Sequence, residues 1–254
     1  MIPALDDLRL IEIGRLILHE AHDDERLARV RTRIEAEGIQ RNPVIVAAFG
    51  DELLVLDGAH RVHALRNLDA HLALVQIVEP PASAESWAHL VGGAGIEKLR
   101  EGDEVEISEG DSQDGWLAEV ETAGGMRFSL RSRDRGLPAE VRALWEMQEA
   151  YPMDGEVRRV GSDEPVRLST AEAIVRYRTF SPEELVEVVR CGTVLPAGIT
   201  RFRVEERVLG VRFPLRSLRS EDAAAANADL RGFVEESWRE NRIRRYAEPV
   251  VLFE

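Results

Sequence analysis

The chain has 254 residues, 44% hydrophobic and 31% charged, an ordinary globular balance with room for one large domain or two small ones. Its single cysteine, Cys191, excludes an intrachain disulfide and a multi-cysteine metal site. No apolar run reaches the roughly 18 residues of a membrane-spanning helix, and the N-terminus lacks the basic-then-apolar order of a signal peptide, so a cytoplasmic location is expected. The net charge of -14 speaks against a DNA-binding face spread over the chain, although arginines cluster at 26–33 and 201–219.

In chain order, short apolar runs at 8–13 and 16–18 read as strands. Asp23 and Asp24 are N-cap residues for a helix over 25–37, in which Leu27, Val30 and Ile34 recur at helical spacing and which Gly38 ends. Pro43 opens a strand over 44–49, Gly50-Asp51 turns it, and 52–56 returns. A helix over 58–68 and a strand over 72–78 follow before Pro80-Pro81 breaks the pattern. Residues 1–80 thus form one α/β unit, and 81–254 a mixed α+β region.

In that second region, 84–90 and 96–100 read as short helices, and 105–107, 116–120 and 126–130 as strands with Gly124-Gly125 as a turn. A helix is expected over 138–151, a hairpin over 154–168 and a helix over 170–178. Ser181, Pro182 and Glu184 mark the start of a helix that ends at Gly192. Strands are expected over 201–206, 208–213 and 249–253, with a long helix from Ser220 to about residue 241 between the last two.

The stretch that carries chemistry is Asp57-Gly58-Ala59-His60-Arg61. A buried strand running into a small-residue turn and at once into a helix gathers free backbone N–H groups and the positive end of the helix dipole at one point. Gly58 allows close backbone approach, His60 and Arg61 add donors, and Asp57 is placed to hold Mg²⁺ or orient a donor. From spacing alone, a plain helix start with His60 and Arg61 in solvent stays equally open. The loop is neither a Walker A loop nor a G-x-G-x-x-G turn.

The strand, the D-G-x-H-R turn and the following helix resemble the ParB/sulfiredoxin fold, whose equivalent loop binds phosphates. With His19-Glu20 after the second strand and Pro43 before the next, the pattern over 8–80 is similar to the free-serine kinases of that fold, some of which feed phosphoserine into siderophore biosynthesis. Ala59 stands where sulfiredoxins carry their cysteine, and the G-E-R-R box of partition proteins is missing. The resemblance implies a kinase that transfers a phosphoryl group from ATP or ADP, with Mg²⁺, to a free amino acid, L-serine first. Glu20 is then the base that accepts the hydroxyl proton. The alternative is a ParB-like nucleotide- and DNA-binding regulator without kinase activity; a homodimer is left open.

The segment 195–202 is similar to the kinases' substrate segment. Thr200 offers a hydroxyl and an N–H, Arg201 a partner for the substrate carboxylate, and Phe202 stands where a histidine is common. A surface loop with a structural threonine is the competing reading. Trp87 either lines the pocket or packs in the core. The six histidines lie between residues 19 and 89, and their spacing makes no H-E-x-x-H zinc motif.

Overall fold

Period-2 alternation in the two central strands of the N-terminal region determines how the molecule is layered. The computed structural model describes residues 2–81, 85–92, 98, 102–109, 115–151 and 157–246. Strand β4 (Val44–Phe49) and strand β5 (Glu52–Asp57) are antiparallel neighbours. Val44, Val46, Leu53 and Val55 enter one core, while Ile45, Ala47, Leu54 and Leu56 enter another. A strand buried on both faces reads as a continuous apolar run, as these two do.

The first sheet has five strands in the order β1-β6-β4-β5-β2, with β1 at Leu8–Glu12, β2 at Leu16–Ile17 and β6 at Leu72–Val78. Strand β2 runs parallel to β5, Leu16 opposite Leu53 and Ile17 opposite Leu54, so the two chain ends leave the sheet in the same direction. Helix α1 is the short Pro3–Asp6. Helix α2 (Asp24–Glu37) starts where the Asp23 side chain accepts the Arg26 N–H at 2.6 Å and stops at Gly38, whose φ of 64° is left-handed. Helix α3 (Ala59–Arg66) follows β5 directly. The short strand β3 (Ile39–Gln40) precedes β4.

The second sheet joins β7 (Glu85–Gly92), β8 (Val105–Glu109), β9 (Ala118–Thr122), β10 (Arg127–Ser132), β11 (Arg158–Gly161) and β12 (Glu172–Tyr177) in the order β11-β7-β12-β9-β10-β8, with β13 (Thr200–Arg201) paired to β7. Helix α4 (Leu137–Ala150) and helix α5 (Pro182–Arg190) pack with it. The α5 start is a full capping box: the Glu184 N–H donates to the Ser181 hydroxyl and the Ser181 N–H to the Glu184 carboxylate. The chain then returns to the first unit. Strand β14 (Phe213–Pro214) pairs with β3, helix α6 is Leu215–Leu218, and helix α7 (Ala223–Arg239) buries Ala226, Leu230 and Val234 in the same core as β1 and β6.

Four expectations are corrected. The helices expected over 84–90 and 170–178 are not found: residues 85–90 belong to the interior strand β7 and 172–177 to β12, and tertiary pairing overrides the helix-forming Ala and Glu they contain. Of the hairpin expected over 154–168, residues 154–156 lie outside the described residues and the rest forms only β11, whose partner is β7. The strands expected over 201–206 and 208–213 shrink to β13 and β14, the stretch between them being irregular. The last helix is capped by Asp222, which accepts the Ala225 N–H at 2.9 Å, rather than by Ser220. The expected helix over 96–100 and strand over 249–253 lie outside the described residues, save Lys98. Among the described residues no helix is long and apolar enough to cross a membrane.

Candidate functional site

The parallel pairing of β2 with β5 carries His19-Glu20 and Asp57-Gly58 out at the same end of the first sheet. There the chain opens a cavity of about 600 Å³, closed on the other side by Trp87 of β7, Arg159 of β11 and residues 197, 198 and 200–204. Glu20, Asp57, Gly58, Ala59, His60, Arg61, Trp87, Thr200, Arg201 and Phe202 all line it.

At the loop, Gly58 is the N-cap of α3 with φ 105°, a conformation that favours glycine, and no side chain caps the helix. The N–H groups of Ala59, His60 and Arg61 therefore have no partner in the helix's own ladder. The Arg61 guanidinium folds over Gly58, so closely that a Cβ at 58 would lie 2.6 Å from its Nη2. Its buried Nε has no acceptor among the described residues. Asp57, 47% exposed, accepts from Arg207 at 2.6 Å and more weakly from Arg61 at 3.5 Å. Burial would raise the pKa of Asp57, but these two guanidiniums outweigh it and hold the carboxyl below its ordinary range.

His60 faces inward rather than into solvent. Its Nε2 accepts the Asp23 N–H at 3.1 Å, so Nδ1 carries the proton and is the one donor the ring offers. Burial and then the Arg26 charge lower its pKa to about 4, so the ring is neutral near pH 7.

Glu20 is held by the substrate-segment loop. Its Oε1 accepts the Ile199 N–H at 3.1 Å, the Thr200 N–H at 2.5 Å and the Thr200 hydroxyl at 2.6 Å, and its Oε2 accepts the Gly198 N–H at 3.0 Å. The Thr200 hydroxyl in turn accepts from His19 Nε2 at 2.8 Å. The backbone completes the staple: Ala21 N–H donates to Leu195 O and Leu195 N–H to His19 O, both at 2.8 Å. Sites 180 residues apart in sequence are thereby fixed to each other. Among the described residues Oε2 accepts only from Gly198, which leaves it lone-pair capacity, and Glu20 lines the cavity.

Of the substrate-segment residues, Thr200 is spent on Glu20 and His19. Arg201 stacks over the Trp87 ring, 4.7 Å from its centroid, and faces Glu85 at 3.9 Å. Phe202 is buried with its ring edge-on to His19, a wall of the cavity rather than a polar contact. Arg159, which the sequence did not single out, also lines the cavity and feels the charge of Glu20. Its guanidinium lies against Gly198, where a Cβ would meet Cζ at 2.2 Å, and makes no ion pair among the described residues. Burial lowers its pKa and the Glu20 carboxylate opposes that, and at neutral pH it stays charged. Arg26 and Arg207 were visible only as members of arginine clusters. Nothing in the sequence marks Arg159, because only the β11–β7 pairing brings it to the site.

Behind the loop, His89 is fully buried, and its pKa is lowered to about 4 mainly by that burial. In the unfolded chain it returns to about 6.5, so as pH falls from 6.5 towards 4 the unfolded state binds a proton that the native state refuses. Stability from His89 is therefore present above pH 6.5 and lost as pH falls, by up to about 3 kcal/mol. Urea unfolding of His89→Leu and the parent at pH 7.5 and 4.5 checks this: the parent should lose more stability between the two than the variant does.

No protein-family model matches the chain. It is similar to the ATP-dependent L-serine kinase SbnI of Staphylococcus aureus, with 27% identity over 252 residues that cover 98% of each chain. The solved structure of C-terminally truncated SbnI from the same organism superposes with a TM-score of 0.83 at 24% identity, over 94% of this chain and all of that one. A free serine kinase with a glutamate-to-glutamine substitution, solved with AMP, superposes with a TM-score of 0.68 at 20% identity, over 84% of this chain and 94% of that one. The chain shares the mixed α/β fold of the free serine kinases and is homologous over nearly its whole length to one of them.

Proposed function

We propose that the protein is an ATP-dependent free L-serine kinase that produces O-phospho-L-serine. The observation that carries this is the meeting, in one cavity, of an uncapped helix N-terminus flanked by Arg61 and a carboxylate, Glu20, held by three backbone amides. Residues 1–80 supply the phosphate loop and 81–254 complete the pocket. The nucleotide phosphates lie on the N–H groups of Ala59, His60 and Arg61, and a phosphate oxygen satisfies the buried Arg61 Nε. Arg26 and Arg207 add positive charge at the same wall. Asp57 is the residue that would hold Mg²⁺. Such a site would need only one or two protein carboxylates, and Asp57, kept ionised by Arg61 and Arg207 at the cavity wall, would supply one. Such an ion neutralises phosphate charge when bound.

Serine enters beside Glu20. Its carboxylate pairs with Arg159, whose guanidinium makes no ion pair among the described residues, in place of Arg201, which faces Glu85 and stacks on Trp87. Glu20 Oε2 accepts the hydroxyl proton as the serine oxygen attacks the terminal phosphorus in line, the bond from that phosphorus to the bridging oxygen breaks, and ADP leaves. Replacing Arg159 with leucine should raise the KM for serine roughly 10- to 100-fold, the worth of a charged hydrogen-bonded pair, with nucleotide affinity unchanged. Steady-state kinetics at saturating nucleotide check it; an unchanged KM for serine would return the carboxylate to Arg201.

The function is tested by incubating the protein with Mg²⁺, ATP or ADP and a panel of hydroxyl amino acids, with mass-spectrometric detection of a phosphorylated product. Serine with ATP is expected to give the most product. No product with any of them, together with salt-sensitive and sequence-selective DNA binding, would favour the DNA-binding regulator instead.

A further inference from the structure

The core beneath the cavity contains polar side chains that the proposed chemistry does not touch. His89 is 0% exposed, Tyr151 and Tyr177 are nearly so, and Gln148 is 8% exposed. Burying such groups is costly unless each is paired, so their partners show what they do. Gln148 Nε2 donates to Ala197 O at 3.1 Å, and His89 Nε2 donates to Gly198 O at 2.8 Å. Because the acceptor is a carbonyl, the neutral His89 ring carries its proton on Nε2. Its Nδ1 then accepts the Tyr177 hydroxyl at 3.3 Å, and the Tyr177 oxygen accepts the Tyr151 hydroxyl. The chain of donors has one direction, and it ends on the loop.

A trans peptide points its C=O and N–H to opposite sides, so a hydrogen bond that fixes the carbonyl also aims the amide. Three successive peptide units of the loop are gripped this way. Ala197 O is held by Gln148 and Gly198 N–H meets Glu20; Gly198 O is held by His89 and Ile199 N–H meets Glu20; Ile199 O is held by the Trp87 N–H and Thr200 N–H meets Glu20. The third grip is ordinary strand pairing. The first two come from side chains on α4 and β7.

We propose that His89 and Gln148 are positioning residues for Glu20, which by clamping the carbonyls of Ala197 and Gly198 set the amides that fix the Glu20 carboxylate towards the substrate hydroxyl. The proposal rests on the reading of Glu20 as the proton acceptor. It separates the parts of the site: nucleotide affinity comes from the α3 loop and is independent of the clamp, whereas kcat depends on it.

The test uses His89→Leu, which removes the donor, and His89→Gln, which keeps an N–H near the Nε2 position. His89→Leu should lower kcat on the order of tenfold or more, since small displacements of a catalytic group are costly, with nucleotide Kd and serine KM within about twofold of the parent. His89→Gln should recover most of that loss. Circular dichroism and a thermal melt confirm folding; if His89→Leu does not fold, Gln148→Met is measured in its place with the same expectation. Unchanged kcat in a folded clamp variant, no recovery in His89→Gln, or a parallel loss of nucleotide affinity would overturn the proposal. Glu20→Gln measured alongside tells the two failures apart, because full turnover in that variant removes the base reading itself.

Discussion

Glu20→Gln is expected to lower turnover about 10²- to 10⁴-fold while nucleotide affinity stays within a few-fold, the range lost when a positioned general base is removed. Glutamine keeps the shape and one acceptor oxygen, so the Ile199 N–H, Thr200 N–H and Thr200 hydroxyl can still be satisfied. Its NH₂ then faces the Gly198 N–H, donor against donor, and it cannot take a proton. The α3 loop is untouched. Calorimetric titration with nucleotide beside a turnover assay separates the two quantities, and a variant as active as the parent would remove Glu20 from the mechanism.

Gly198→Ala should reduce kcat/KM on the order of 100-fold, for two reasons that can be told apart. Gly198 has φ 78°, where an L-residue is strained by roughly 1–2 kcal/mol. A methyl group there would also occupy the space of the Arg159 guanidinium, which must move, and misplacement of about 1 Å at a reacting centre is enough for a loss of this size. Gly192 provides the comparison, with φ 74° and nothing within 4 Å of an added Cβ. Gly192→Ala should show a similar fall in melting temperature with activity kept. Equal loss of activity in both variants would mean that backbone strain, not the Arg159 contact, is responsible.

Much of the first unit can be read locally. Asp23 and Gly38 bound α2, the apolar runs over 44–49 and 52–56 on either side of Gly50-Asp51 predict strands, and the turn after Asp57 predicts an exposed helix start. The resemblance over 8–80 then placed Glu20 near that turn, and the β2–β5 pairing puts both on one cavity. The second unit resists such reading. Its interior strand β7 buries Ser86 and His89 among apolar residues, so neither alternation nor hydrophobicity reveals it, and both residues are satisfied by partners distant in sequence, Tyr177 O and Gly198 O. The same distance hid Arg159 and Gln148: they reach the loop at 197–200 through sheet pairing and helix packing, which leave no mark at short sequence range. Phe202, expected at the substrate, lines the cavity with its ring edge-on to His19.

The central claim is that one cavity joins a nucleotide phosphate cradle to a base for a serine hydroxyl. Phosphorus NMR of the purified protein with Mg²⁺, ATP and L-serine tests it directly. The expected result is a phosphomonoester resonance matching O-phospho-L-serine that grows in step with ADP, and whose growth depends on serine. ADP appearing with inorganic phosphate alone, at a rate indifferent to serine, would contradict it.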